Sequence, residues 1–186
     1  DAILAIQPDV VTVQEASVTS SHPNVAETIA NAVGYQWVWQ RAAGFGDVFN
    51  EGPGVLSRWP ISDFGYVQLE GTEISLAGRV LVRAEIQTPH GPVYVSSVHM
   101  SGPDDDQMVG ADQALIAYNY INEVRGALPG FLAGDTNAQP DHLAMRFFRG
   151  ETPHGGVTAD LIDAWMIARP GELGLTSEAM SPNERI

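Results

Sequence analysis

Leu128-Pro129-Gly130-Phe131-Leu132-Ala133-Gly134-Asp135-Thr136-Asn137 is the stretch whose reading decides the fold. The apolar run from Leu128 to Ala133 reads as a short buried strand, and it delivers Asp135 and Asn137 to the rim of a sheet. Two other strand-like runs end the same way. Glu15 follows Val10-Val11-Thr12-Val13-Gln14, and His99 follows Val93-Tyr94-Val95-Ser96-Ser97-Val98. Three strands that each end in a group able to hold a metal or a phosphate point to a site on a sheet, where rigid strands fix the side chains. The chemistry expected of such a site is hydrolytic.

Working outward, Asp1 to Ile6 has a helical look, and Asn24 to Val33 reads as a short helix entered through Ser20-Ser21-His22-Pro23 and stopped at Gly34. Tyr35-Gln36-Trp37-Val38-Trp39-Gln40 alternates strictly, as a half-buried strand with three aromatics on one face does. The Gly-rich stretch Ala42 to Gly54 reads as a loop. Val55 to Arg58, Ile61 to Leu69 and Arg79 to Ile86 follow as strands. In the last of these Val80, Val82, Ala84 and Ile86 share one face. Thr88-Pro89-His90-Gly91-Pro92 is turn chemistry leading into the strand that ends at His99.

Gln107 to Val124 is the clearest helix, with Met108, Ala111, Leu115, Tyr118 and Val124 expected to face inward. Asp104-Asp105-Asp106 stands at its start, where a helix N-terminus favours negative charge; spaced ligands and the Gly of a calcium loop are lacking. Asp141 to Phe148 looks helical and Leu161 to Trp165 strand-like. Antiparallel-looking strand pairs with helices between some of them imply an α+β class with mixed sheets.

The chain of 186 residues, 44% of them hydrophobic, suffices for one sizeable core, so a single domain over 1–186 is expected. Asp and Glu number 23 against nine Arg and no Lys, for a net charge of −14. That repulsion disfavours non-specific binding of duplex DNA, which relies on clustered Lys and Arg, without excluding a nuclease that uses local Arg and bound cations. No cysteine is present, so disulfides and thiolate metal sites are ruled out while the compartment stays open. No apolar run reaches the ~18 residues of a membrane span.

Four stretches together resemble the endonuclease/exonuclease/phosphatase family, the DNase-I-like metal-dependent phosphoesterases. They are Gln7-Pro8-Asp9-Val10-Val11-Thr12-Val13-Gln14-Glu15, Gly54-Val55-Leu56-Ser57-Arg58-Trp59-Pro60-Ile61, Ser97-Val98-His99 and Gly134-Asp135-Thr136-Asn137. Each is weak alone; in the family's order and spread over nearly the whole chain they are specific. The resemblance implies two stacked mixed β-sheets flanked by helices, a four-layer α/β sandwich. It also implies a chain cut at both ends, without the family's Asn-bearing first strand and final Asp-His motif, and on that reading the 186-residue chain by itself is expected to be inactive.

The resemblance further implies roles. Glu15 of the Gln-Glu pair would ligate Mg²⁺ or Mn²⁺, hard ions that take oxygen ligands and keep several waters. Asp135 would activate or orient the attacking water, with Asn137 and His99 as donors to phosphate oxygens. Arg79 would contact phosphate, as an Arg at the corresponding strand does in some members. Each residue also has a plainer reading: a solvated Glu, an Asx-turn at Asp135, a structural His, an Arg paired with a carboxylate. His22, His90, His142 and His154 read as loop or surface residues, and Asp163 has no assignable role. Family substrates include nucleic acids, sphingomyelin and inositol phosphates, and acidity tilts the reading slightly toward a small or lipid phosphodiester. The alternative is a non-catalytic binding module on the same fold.

Overall fold

The computed structural model describes residues 2–69, 78–102, 106–172, 174 and 176. Asp104 and Asp105 lie outside the described residues; Asp106 is inside them and caps a helix.

The first sheet is antiparallel, with strand β1 (Val10–Thr19) beside β4 (Phe49–Ser57) and β4 beside β2 (Gln36–Trp39); β3 (Ala43–Phe45) also pairs with β4. The second runs in the order β5 (Ile61–Gln68), β6 (Val80–Thr88), β7 (Gly91–His99) and β8 (Gly130–Asp135), and β7 and β8 are parallel. Helix α1 (Ala2–Ile6) precedes β1, and α2 (Val25–Val33) covers the outer face of the first sheet. Helices α3 (Gln107–Arg125) and α4 (Leu143–Phe148) cover the outer face of the second, and α5 (Ala164–Ala168) follows. The result is an α+β sandwich of two stacked sheets flanked by helices.

Three apolar clusters correspond to its three interfaces. Ala16, Ala26, Ala30 and Leu56 pack between α2 and the first sheet, with Tyr35, Trp37 and Trp39 against them, the aromatic face expected from alternation. Val55, Val82, Ala84, Ile86 and Val95 fill the seam between the sheets. Leu69, Leu81, Val98, Met100, Ala114, Ala117, Ile121 and Phe147 join the second sheet to α3 and α4. The period-two alternation of β6 therefore splits Val82, Ala84 and Ile86 from Leu81, as its sequence requires. Among the described residues no helix is long and apolar enough to cross a membrane.

Local chemistry sets several boundaries. Asn24 caps α2 by accepting from Ala26 N at 2.8 Å, and Gly34 ends it with φ 74°. Two of the sequence motifs are tied together: Arg58 pairs with Asp9 at 3.0 Å and donates to the Gln7 carbonyl at 2.7 Å, while Tyr35 donates to the Pro8 carbonyl.

Five sequence expectations are corrected. The run from Leu128 to Ala133 does form strand β8 but is not buried: β8 pairs with β7 on one side only among the described residues, and Phe131 is 58% exposed. The stretch from Ala42 to Gly54 is a hairpin rather than a loop: its glycines suit strands in close approach, and a Cβ at Gly52 would overlap the Gln40 carbonyl. The strand expected over Leu161 to Trp165 is instead the start of α5, because Asp163 accepts from Trp165 N at 3.0 Å and Met166 N at 3.1 Å and caps it. Met108 is exposed; the inward stripe of α3 is Gly110, Ala111, Gln113, Ala114, Ala117 and Ile121, with Leu115 and Tyr118 half-buried beside it. Finally, Glu15 does not end its strand, since β1 continues to Thr19.

Candidate functional site

The position of Glu15 follows from an irregularity in β1. Val13 pairs with Gly54 and Ala16 with Gly52, so Gln14 and Glu15 together face the single residue Pro53, which is a β-bulge. Glu15 takes φ 52°, a left-handed conformation that non-glycine residues adopt at a cost. Gln14 points across the seam, where its Nε2 donates to Ser97 Oγ at 3.0 Å, and that hydroxyl donates to the Val13 carbonyl at 3.1 Å. This clasp joins the sheets beside the bulge. Glu15 Oε1 lies 3.9 Å from His99 Nε2. The Glu15 side chain is 67% exposed and that of His99 only 8%.

Asp135 reaches the same place through β8. His99 and Asp135 are register partners in the parallel pair, and Met100 N donates to the Asp135 carbonyl at 2.9 Å. Gly134 permits this approach: it has φ 138°, and a Cβ there would overlap the Val98 carbonyl. Asp135 Oδ1 accepts from Asn137 N at 2.8 Å, so the Asx-turn foreseen as the plain reading is present. Asn137 has φ 49° and donates one amide N–H to the Met100 carbonyl at 3.0 Å, which leaves its second N–H as a further donor.

Arg79 stands immediately ahead of β6, and its Nη1 is 3.2 Å and 3.3 Å from the two ring nitrogens of His99. Burial, then the Arg79 guanidinium, lowers the His99 pKa below its ordinary 6.5, and the charges of Asp135 and Glu15 act against them. The imidazole is thereby favoured in its neutral form. All five residues expected from the sequence are accordingly gathered at one end of the inter-sheet seam.

Two residues at the site escaped the sequence reading. Gln113 of α3 is fully buried, its Oε1 accepting from Ser101 N at 2.9 Å and its Nε2 donating to Ser101 Oγ at 2.7 Å. It anchors the segment that leaves β7 just after His99. A polar residue in the apolar stripe of α3 was the signal that could have found it. Glu51 of β4 is half-buried, and the fields of Glu15 and Arg79 both reach it. Only the strand register reveals that neighbourhood.

Other charged groups have local work. His142 caps α4 by accepting from Ala144 N at 3.1 Å, and His154 pairs with Asp112 at 2.6 Å. A concavity of about 780 Å³, lined by Leu132, Thr136, Met145, Phe148 and Trp165 among others, lies behind β8 and includes neither Glu15 nor His99.

Glu15 offers a carboxylate beside the His99 imidazole, with no thiolate in the chain, and a carboxylate oxygen suits Mg²⁺ or Mn²⁺. Among the described residues no group of three His, Cys, Asp or Glu side chains closes into a cage. An ion that keeps several waters is the kind such a site suits.

The family model described as Endonuclease/Exonuclease/phosphatase family matches residues 1–183. No curated protein matches significantly in sequence. Similar solved structures include the human Nocturnin catalytic domain with bound sulfate anion, at 16% identity and TM-score 0.71 over 90% of this chain and 63% of that one. A D. rerio TDP2 humanized by 14 mutations aligns at 19% identity and TM-score 0.66, covering 90% and 62%. The mannosyl-6-phosphatase Bt3783 of Bacteroides thetaiotaomicron aligns at 17% identity and TM-score 0.62, covering 78% and 57%. The chain thus spans less than two thirds of the length of each of these structures.

Proposed function

Because the chain belongs to the endonuclease/exonuclease/phosphatase family and has its phosphoesterase fold, we propose that the protein is a Mg²⁺- or Mn²⁺-dependent hydrolase of phosphate esters. The observation that carries this reading is the convergence of Glu15, His99, Asp135, Asn137 and Arg79 from both sheets on one end of the seam.

Glu15 would hold the divalent ion, which when bound neutralises charge on the phosphate oxygens. Arg79 is a fixed positive charge that draws the phosphate toward His99. Neutral His99 keeps one ring N–H as a donor, and Asn137 offers its free amide N–H to a second phosphate oxygen. Asp135, its other oxygen occupied by the Asx-turn, accepts the proton of a water placed in line with the scissile bond. A new bond forms from the water oxygen to phosphorus, the bond from phosphorus to the leaving oxygen breaks, and solvent returns a proton to that oxygen.

The test uses the full-length protein with bis(p-nitrophenyl) phosphate and a Mg²⁺ titration. Glu15→Gln and Asp135→Asn should each lower the turnover by about 10²-fold or more, the size of a lost general base. Wild-type rates in both variants would sink the reading. Absence of Mg²⁺ binding by calorimetry would favour a binding module instead.

A further inference from the structure

Glu51 has a place in the site that follows from register. Ala16 packs outward in the cluster beneath α2, so its neighbour Ser17 faces the second sheet. Glu51 is the cross-strand partner of Ser17, and cross-strand partners share a face. The bulge turns Glu15 toward the same seam, one rung away. The backbone at Glu51 is fixed as well, its carbonyl accepting from Ala42 N at 2.9 Å. Burial, then the charge of Glu15, raises the Glu51 pKa, and Arg79 acts against them. A third carboxylate, after those of Glu15 and Asp135, thus lies within the fields of the proposed metal-holding group and the proposed phosphate-binding cation.

We propose that Glu51 determines the charge specificity of this site, its carboxylate disfavouring phosphomonoesters relative to phosphodiesters. The inference rests on the phosphoesterase reading above. A monoester carries close to two negative charges above its second pKa of about 6, whereas a diester carries one. The extra charge on a phosphate beside Arg79 meets the field of Glu51. At separations of several ångströms in a solvent-facing cleft, one such repulsion corresponds to about a tenfold difference in affinity.

The test compares phenyl phosphate with diphenyl phosphate at pH 8, in the full-length protein with Mg²⁺, by calorimetry and by turnover. Wild type should favour the diester. Glu51→Gln should shift the diester-to-monoester ratio by about tenfold toward the monoester, with an unchanged thermal midpoint. Glu51→Asp, which keeps the charge, should keep the wild-type preference. An unmoved ratio in an active Glu51→Gln protein overturns this inference alone. A weakened Mg²⁺ affinity with an unmoved ratio also overturns it and makes Glu51 a ligand. If wild type neither binds nor hydrolyses either ester, the phosphoesterase reading falls and this inference falls with it.

Discussion

The two sides of β7 meet opposite surroundings. On one side Val98, and Met100 just beyond the strand, are fully buried among Leu81, Ala114, Ala117 and Phe147. On the other, Ser97 and His99 face Gln14, Glu15, Arg79 and Asp135. The helix side is apolar apart from the buried Gln113, which bonds Ser101. The seam side is apolar at Val95 and turns polar only at its Ser97–His99 end, where the neighbouring Glu15 and Asn137 both have positive φ. Each such residue costs of order 1–2 kcal/mol, so the site persists only because its surroundings hold it in place. The comparison teaches that one strand can supply stability from one face and a strained, reactive arrangement from the other.

Substitutions can break or sharpen this contrast. The largest effect on stability is expected from Phe147→Ala, which opens a cavity on the helix side and should cost about 3–5 kcal/mol in urea unfolding. Turnover per folded molecule should stay near wild type. A loss under about 1 kcal/mol would show that this side is not where stability resides. The reverse pattern is expected of Asp135→Asn: a fall in turnover of about 10²-fold or more, with little change in the unfolding midpoint.

Glu15→Gly separates the two roles within one residue. Relief of the positive φ outweighs the added chain entropy of glycine, so stability should rise by about 0.5 kcal/mol while metal-dependent turnover is lost. A marked destabilisation would mean that the Glu15 side chain, not its backbone, supports the bulge.

The smallest effect lies away from both sides. Asp63 pairs with Arg83 at 2.5 Å, and that hydrogen bond holds its carboxyl below the ordinary 3.8. A lowered folded-state pKa stabilises above the unfolded value and is lost as pH falls through the folded one. Below about pH 4 wild type should therefore lose more stability than Asp63→Asn. The side chain is 53% exposed, so screening limits the difference to a few tenths of a kcal/mol. Parallel unfolding curves at pH 3 and pH 6 would remove the pair from the account.

Much of the architecture was legible because it rests on local periodicity. The aromatic face of β2, the alternation of β6, the start and stop of α2 and the polar residues at the ends of β7 and β8 all read directly from residue order. The errors share a cause. Glycine density disguised the β3–β4 hairpin, and five residues around Asp163 were too few to separate strand from helix. Met108 was misplaced because the α3 stripe is built from small residues and a glutamine rather than large apolar ones.

By itself, the sequence determined most of the strands and helices, though not the β3–β4 hairpin or α5, and the candidates Glu15, Arg79, His99, Asp135 and Asn137. Tertiary structure alone decided how they meet. The bulge at Glu15 exists only relative to the register of β4, and Glu51 joins the site only as the partner of Ser17. Gln113 has a purpose only when α3 packs beneath the segment after His99. The clasp from Gln14 to Ser97 spans 83 residues of chain. Register and sheet stacking arise from contacts of that separation, on which local propensity has no purchase.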